Sequence, residues 1–388
     1  MLRVASLFSQ ILKIFPRTEF QQAVKQHRAE RHCKGFRCWD QFVAMLFCQL
    51  GQARSLREIC GGLSCCVGKL QHLGVANAPS RSTLAYANKH RPWKLYETIF
   101  QQLYSKCRIE ASPNRKFRFK NKLYSLDSTL IDLSLSLFPW AEYNTMKGAM
   151  KLHALLDHDG YLPAYGVITD ARAHDAIVAR QVELPKNSVV VVDRGYVDYL
   201  LYGLWTEQKV WFVTRERRFA AFEVLEHREV RPNTGVICDE IITLAYSVSY
   251  KRCPYPLRRI EFYDAETDKT FVFWTNHMKF AASSIARIYK ERWQIELFFK
   301  TLKQNLKIKT FLGISPNAVK TQIWTALIAV LLLKYLKLKC TFGWSLSNLV
   351  AFLRWNLFSY RDLWLWLEKP YESPPLEPEA VQQKLVWS

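Results

Sequence analysis

The sequence predicts a mixed α/β protein: a strand-rich centre carrying an all-β insertion, preceded by one helical region and followed by another. Three observations carry that expectation. A basic N-terminal third has apolar residues at helical spacing. Between residues 123 and 215, a hairpin-like pair of strands precedes a strand, helix, strand alternation. From 216 to about 277 a series of strand-like pieces follows, and this gives way abruptly to an amphipathic helix. At 388 residues and 49% hydrophobic content the chain is long enough for two or three domains and is not disordered.

In the N-terminal third, Trp39 to Leu50 is apolar enough for a buried helix. Ser55-Leu-Arg-Glu-Ile-Cys then opens another with a Ser-x-x-Glu capping box, which Gly61-Gly62 interrupts. After the turn-rich Asn77-Ala-Pro-Ser80 a further helix spans Ser82 to Arg91. Two short helices around a Gly/Pro turn suit a helix-turn-helix-like reader presenting Arg81, Tyr86, Asn88, Lys89 and Arg91. A plain helical bundle with a basic exterior is the alternative. Charge points to a polyanion, because residues 1–122 hold 22 Lys and Arg against 6 Asp and Glu, whereas the remaining 266 residues hold 33 against 28. Nucleic acid is the partner such an asymmetry favours.

A cationic linker, Arg115 to Lys122, gives way to Leu123-Tyr-Ser-Leu-Asp-Ser-Thr-Leu-Ile, a strand with Asp127 inside it. Lys151 to Asp157 and Leu162 to Thr169, joined by His158-Asp-Gly160, read as a hairpin. Residues 175–184 are helix-compatible. Ser188-Val-Val-Val-Val-Asp193 is a continuous apolar strand of the kind buried on both faces, and it ends in a carboxylate beside Arg194. Trp211 to Arg215 is the next strand, and the insertion follows it.

The helix after the insertion has a distinctive polar stripe. Tyr289, Arg292, Glu296, Lys300 and Lys303 sit at offsets 0, 3, 7, 11 and 14, within an arc of about 80° on one continuous helix. Ile288, Ile295, Phe298, Phe299 and Leu302 form the apolar face beside it. A solvated face of ordinary Glu–Lys pairs produces similar spacing. Taken with Asp127 and Asp193, however, Glu296 completes three carboxylates from three elements, the donor set of a two-cation site for phosphoryl chemistry. Oxygen-only ligands favour Mg²⁺, with Mn²⁺ as a substitute.

These residues carry a resemblance. Tyr289, Arg292, Glu296 and Lys303 in the spacing Tyr-x2-Arg-x3-Glu-x6-Lys, with Asp127 in Leu-Asp-Ser-Thr and Asp193 in Val-Asp-Arg-Gly-Tyr, resemble the bacterial insertion-sequence DDE transposases that carry the Tyr-Arg-Glu-Lys signature. The segments around Lys34 to Phe47, Ser55 to Leu63 and Phe311 to Val319 resemble the same proteins, so the likeness covers nearly the whole chain. It implies a ribonuclease-H-like catalytic core over 123–310, a DNA-binding domain over 1–122, and a helical C-terminal region with a Pro-containing tail over 311–388. It also implies that Asp127, Asp193 and Glu296 hold two Mg²⁺ ions. Arg292 and Lys303 would clamp phosphates, Tyr289 would orient a phosphate or a terminal nucleotide, and Lys300 and Arg194 would add cationic contacts. The partners it implies are terminal inverted repeats and target DNA, handled by a synaptic homodimer. Trp274 is the candidate for an aromatic of the insertion set against a flipped base, while its place in a strand-like segment favours a core aromatic. An inactive relative that only binds DNA, and a metal-dependent nuclease that cuts without joining, stay open as alternatives.

Membrane insertion is not expected, since the most apolar run, Ile323 to Leu333, is about half a span and contains Trp and Thr. The N-terminus lacks the pattern of a signal peptide. Cys33, Cys38, Cys60, Cys65 and Cys66 lack paired Cys-x2-Cys spacing, so they read as buried thiols of a reducing, cytoplasmic protein rather than a zinc knuckle.

Overall fold

The strand patterns resolve into one continuous sheet. The computed structural model describes residues 5–372, apart from positions 32, 34, 67, 112–115, 118, 145, 146, 307 and 309. Part of the cationic linker, including Arg115 and Arg118, position Lys34 and the expected tail beyond 372 therefore lie outside the described residues.

The strands are β1 (Leu123–Leu133), β2 (Glu142–Asn144), β3 (Lys147–Asp157), β4 (Leu162–Asp170), β5 (Val189–Val191), β6 (Trp211–Arg215), β7 (Phe222–His227), β8 (Val236–Leu244), β9 (Leu257–Asp264) and β10 (Lys269–Thr275). β4, β3 and β1 are antiparallel neighbours, and β1, β5 and β6 run parallel beside them. The β3–β4 hairpin turns where expected, with Gly160 at φ +77°, a conformation that favours glycine. β5 is apolar throughout because it is covered on both faces: Val190 faces the main core, while Val189 and Val191 face a smaller one with Ile285 and Ile288.

The insertion differs from the all-β expectation in one way: it contains a short helix, Ser247–Arg252. It joins the central sheet, because β10 pairs with β6 and extends that sheet through β9 and β8 to β7.

The helix carrying Glu296 also departs from the continuous stripe. Ala282–Lys290 and Trp293–Asn305 are separate helices, with Glu291 and Arg292 in a turn between them. Glu291, Arg292, Gln294 and Ile295 each donate their N–H three residues back, so the chain tightens here into 3₁₀-like turns. The cause is tertiary: the buried Glu291 carboxylate takes Lys116 Nζ at 2.5 Å and the Tyr161 hydroxyl at 3.1 Å.

Pro316–Leu338 packs against Cys38–Gly51, Arg81–His90 and Lys94–Ala111, and Trp324 contacts both Trp93 and Phe100. N- and C-terminal helices thus share one core, and residues 1–122 lack part of it. Pro316–Leu338 is the one helix among the described residues long and apolar enough to cross a membrane, and 83% of its most apolar window is buried inside the fold.

Candidate active site

Asp127 and Asp193 meet through strand register. Ser125 of β1 aligns with Val191 of the parallel β5, so the residues two places further on, Asp127 and Asp193, stand at the same level. Asp193 lies just past the end of β5, where its Oδ1 accepts the Gly195 N–H at 2.7 Å and its carbonyl accepts the Thr214 hydroxyl at 3.2 Å. Glu296 arrives from a third element. Ile295, Phe298, Phe299 and Leu302 are buried on the face of Trp293–Asn305 that docks against β1, which leaves Glu296 in the first turn and part-exposed.

Arg292 ties the strand to the helix. One guanidinium nitrogen lies 3.6 Å from Asp127 Oδ2, and the other donates to Glu296 Oε1 at 2.5 Å. The guanidinium sits over the ring of Tyr289, which in turn packs on Phe273. Lys300 and Lys303 follow Glu296 on the same helix, with Lys300 exposed; Arg194 is exposed beside Asp193.

The Asp127 carboxyl is pushed up to about 7 by burial and then by the negative charges of Asp193 and Glu296, against the opposing pull of the Ser128 N–H and Arg292. Three acidic groups share a half-buried place, where the single Arg292 guanidinium paired with two of them leaves negative charge in excess. A divalent cation would relieve that conflict, so this donor set fits Mg²⁺ or Mn²⁺. Their oxygens are not all within 4.8 Å of one another, and Arg292 pairs with two of the three groups.

The expected reader of bases is rearranged. Leu56–Ser64 and Arg81–His90 are separated by residues 65–80, which include the 3₁₀ turn Leu70–Leu73, too long a connection for a helix-turn-helix. Asn88 is buried and bonds Gln41. Arg91 is committed internally to the carbonyls of Arg37 and Phe36 and to the Gln41 side chain, so it is not available to a phosphate. Arg81, Tyr86 and Lys89 remain exposed.

A different basic feature appears instead. A groove of about 910 Å³ is lined by Arg54, Arg57 and Arg81, by the capping Ser55 and Ser80, and by Phe311 and Leu312, which follow the helix bearing Glu296. Ser55 and Ser80 cap the first turns of two helices, bonding the Glu58 and Thr83 N–H groups at 3.1 Å each. Two positive helix ends and three guanidinium groups suit a phosphate backbone. No motif in the sequence singles out Arg54 or Arg57; the capping box that contains Arg57 is the local signal nearest to the place.

Trp274 is 2% exposed, donates its indole N–H to Glu216 at 3.1 Å and stacks on Tyr199. It is a core residue and offers no face to a base. Phe219, Tyr246, Tyr250 and Tyr263 are exposed aromatics of this region, and Phe219 is the most accessible of them, at φ +61° between Arg218 and Ala220.

Residues 118–332 match the family described as Transposase DDE domain, and residues 3–76 match a domain of unknown function (DUF4372). The chain is 34% identical over 308 residues to the putative transposase y4zB of Sinorhizobium fredii (strain NBRC 101917 / NGR234), covering 78% of this chain and 83% of that protein. It is 28% identical over 256 residues to a probable transposase for insertion sequence element IS5377 of Geobacillus stearothermophilus, covering 66% and 67%. A putative transposase for insertion sequence element IS4SA of Synechocystis sp. (strain ATCC 27184 / PCC 6803 / Kazusa) is 26% identical over 281 residues, covering 70% and 76%.

Proposed function

The chain belongs to the DDE-domain transposases, and on that premise we propose that Asp127, Asp193 and Glu296 form the centre at which it cleaves the terminal inverted repeats of an insertion sequence and joins the 3′-hydroxyl ends to target DNA. The observation that carries this reading is the convergence itself: β1–β5 register sets the two aspartates level, and Arg292 pairs with both Asp127 and Glu296. The order β4, β3, β1, β5, β6, antiparallel then parallel, supports a ribonuclease-H-like core. The four positions Tyr289, Arg292, Glu296 and Lys303 support the Tyr-Arg-Glu-Lys subfamily.

The three carboxylates would hold two Mg²⁺ ions, with Mn²⁺ as a substitute; when bound, these supply activation of the attacking oxygen and stabilisation of the leaving oxygen. The side chains have separate tasks. Arg292, once released from the carboxylates, presents a bidentate fork to a phosphate, and Lys303 adds a second cation on the same helix. The packing of Tyr289 on Phe273 fixes the ring against which Arg292 is set. The groove at Arg54, Arg57 and Arg81 holds DNA backbone, and the exposed Phe219 beside Arg217 and Arg218 offers a face to an unstacked base. A homodimer would bring two ends together. Joining of DNA ends by the purified full-length chain tests the proposal, since a nuclease or an inactive relative yields no joined product.

The groove yields a salt-dependent expectation. Replacing Arg54, Arg57 and Arg81 together by Ala should weaken DNA binding and flatten the log–log salt dependence by roughly two to three units, because each lost phosphate contact removes about one. Anisotropy titrations across a salt series measure the slope. An unchanged slope removes the groove from the interface.

Asp127 yields a pH expectation. Its folded value of about 7 lies above the ordinary aspartate value of 3.8, so the folded, metal-free protein binds the extra proton. Stability contributed by this group is therefore greatest below about pH 4 and declines as pH rises through about 7. Divalent metal must displace that proton, so the thermal shift produced by Mg²⁺ should grow between about pH 6 and about pH 8. A shift independent of pH across that interval contradicts the assignment.

A further inference from the structure

The β7–β8 hairpin gathers three metal-ligating side chains on a part of the sheet that β6, β10 and β9 separate from the aspartates. His227 ends β7 and pairs directly with Glu240 of β8, while Cys238 lies two residues before Glu240 on the same strand. One donor atom from each lies within 4.8 Å of the other two, and no other trio of His, Cys, Asp or Glu among the described residues meets that condition. His227 Nδ1 is 3.3 Å from Glu240 Oε1. The other carboxylate oxygen, Oε2, accepts from Arg259 at 3.0 Å.

From this geometry we infer that His227, Cys238 and Glu240 bind one zinc-class transition-metal ion, which fastens β7 to β8. Imidazole, thiolate and carboxylate together select zinc or its neighbours over the hard Mg²⁺. The Arg259 contact leaves one Glu240 oxygen for the ion and fixes the carboxylate's orientation, the role outer partners play at metal sites. Exposed His227 leaves a fourth position open to water. The local need is mechanical: β7 is the sheet's edge, and from Glu223 to His227 its residues are exposed, so little packing holds it. The Cys238 thiol carries its proton in the metal-free protein, pushed up to about 11 by burial and by Glu240; binding forms the metal–thiolate bond and releases that proton to solvent.

The test uses the full-length protein, stripped with chelator and titrated with Co²⁺ in excess Mg²⁺, with zinc as competitor. A saturable thiolate-to-cobalt absorption band is expected, displaced by zinc and lost in Cys238→Ser. His227→Ala, at an exposed position, should weaken Co²⁺ affinity by at least roughly tenfold. Absence of the band from the wild type overturns the site. So does a band of equal intensity and affinity in both variants, which would place the ion on the other cysteines.

Discussion

Asp127→Asn, Asp193→Asn and Glu296→Gln are each expected to lower DNA cleavage and joining by about a thousandfold or more, while changing affinity for the same DNA by less than about threefold. The dissociation follows from the arrangement: these groups come together as a half-buried acidic cluster, which has no attraction of its own for a polyanion. Asp127→Asn carries a second signature. It removes the carboxyl whose charged form the fold disfavours, so the metal-free variant should be more stable than the parent above about pH 7, by about one to three kcal/mol. A variant that cleaves normally removes its residue from the centre. An unstable Asp127→Asn would show that the carboxylate is structural.

Arg292→Ala should act in opposite directions on two measurements. Cleavage should fall on the order of tenfold to a hundredfold, the loss of a charge-assisted phosphate contact of roughly 1.5 to 3 kcal/mol. Mg²⁺ affinity, followed by thermal shift or calorimetry, should rise, because Arg292 pairs with Asp127 and Glu296 in the metal-free protein and competes for them. The sequence alone predicts an Arg that is separate from the metal's ligands and neutral towards their affinity. A solvated surface pair predicts changes near zero in both measurements. Unchanged metal affinity together with reduced cleavage leaves the clamp and removes the competition.

What was legible follows the range of the forces involved. β1, the β3–β4 hairpin, β5 and β6 lie where alternation, an apolar run or a His-Asp-Gly turn placed them, because neighbours in sequence decide those features. The two aspartates were visible as carboxylates in strands. Their common level was not, since it depends on which strand lies beside β1 and in what register. The turn at Glu291 and Arg292 was hidden because both residues favour helices and keep helical dihedrals; Lys116 and Tyr161, distant in sequence, capture Glu291 and set the break. Arg91 and Trp274 read as candidate ligands by type, and only packing shows that their polar groups are already satisfied within the fold. The same limit concealed the shared core of the terminal helices: an apolar helix at 316–338 declares burial but does not name its partners.

The central claim is tested most directly by incubating purified full-length protein with linear duplexes bearing the element's terminal repeats and a supercoiled target plasmid in Mg²⁺, then sequencing the products. The account predicts 3′ ends covalently joined to target DNA by the wild type and no joined product from Asp193→Asn at equal DNA occupancy. Cut ends without joining, or joining that survives the loss of Asp193, would contradict it.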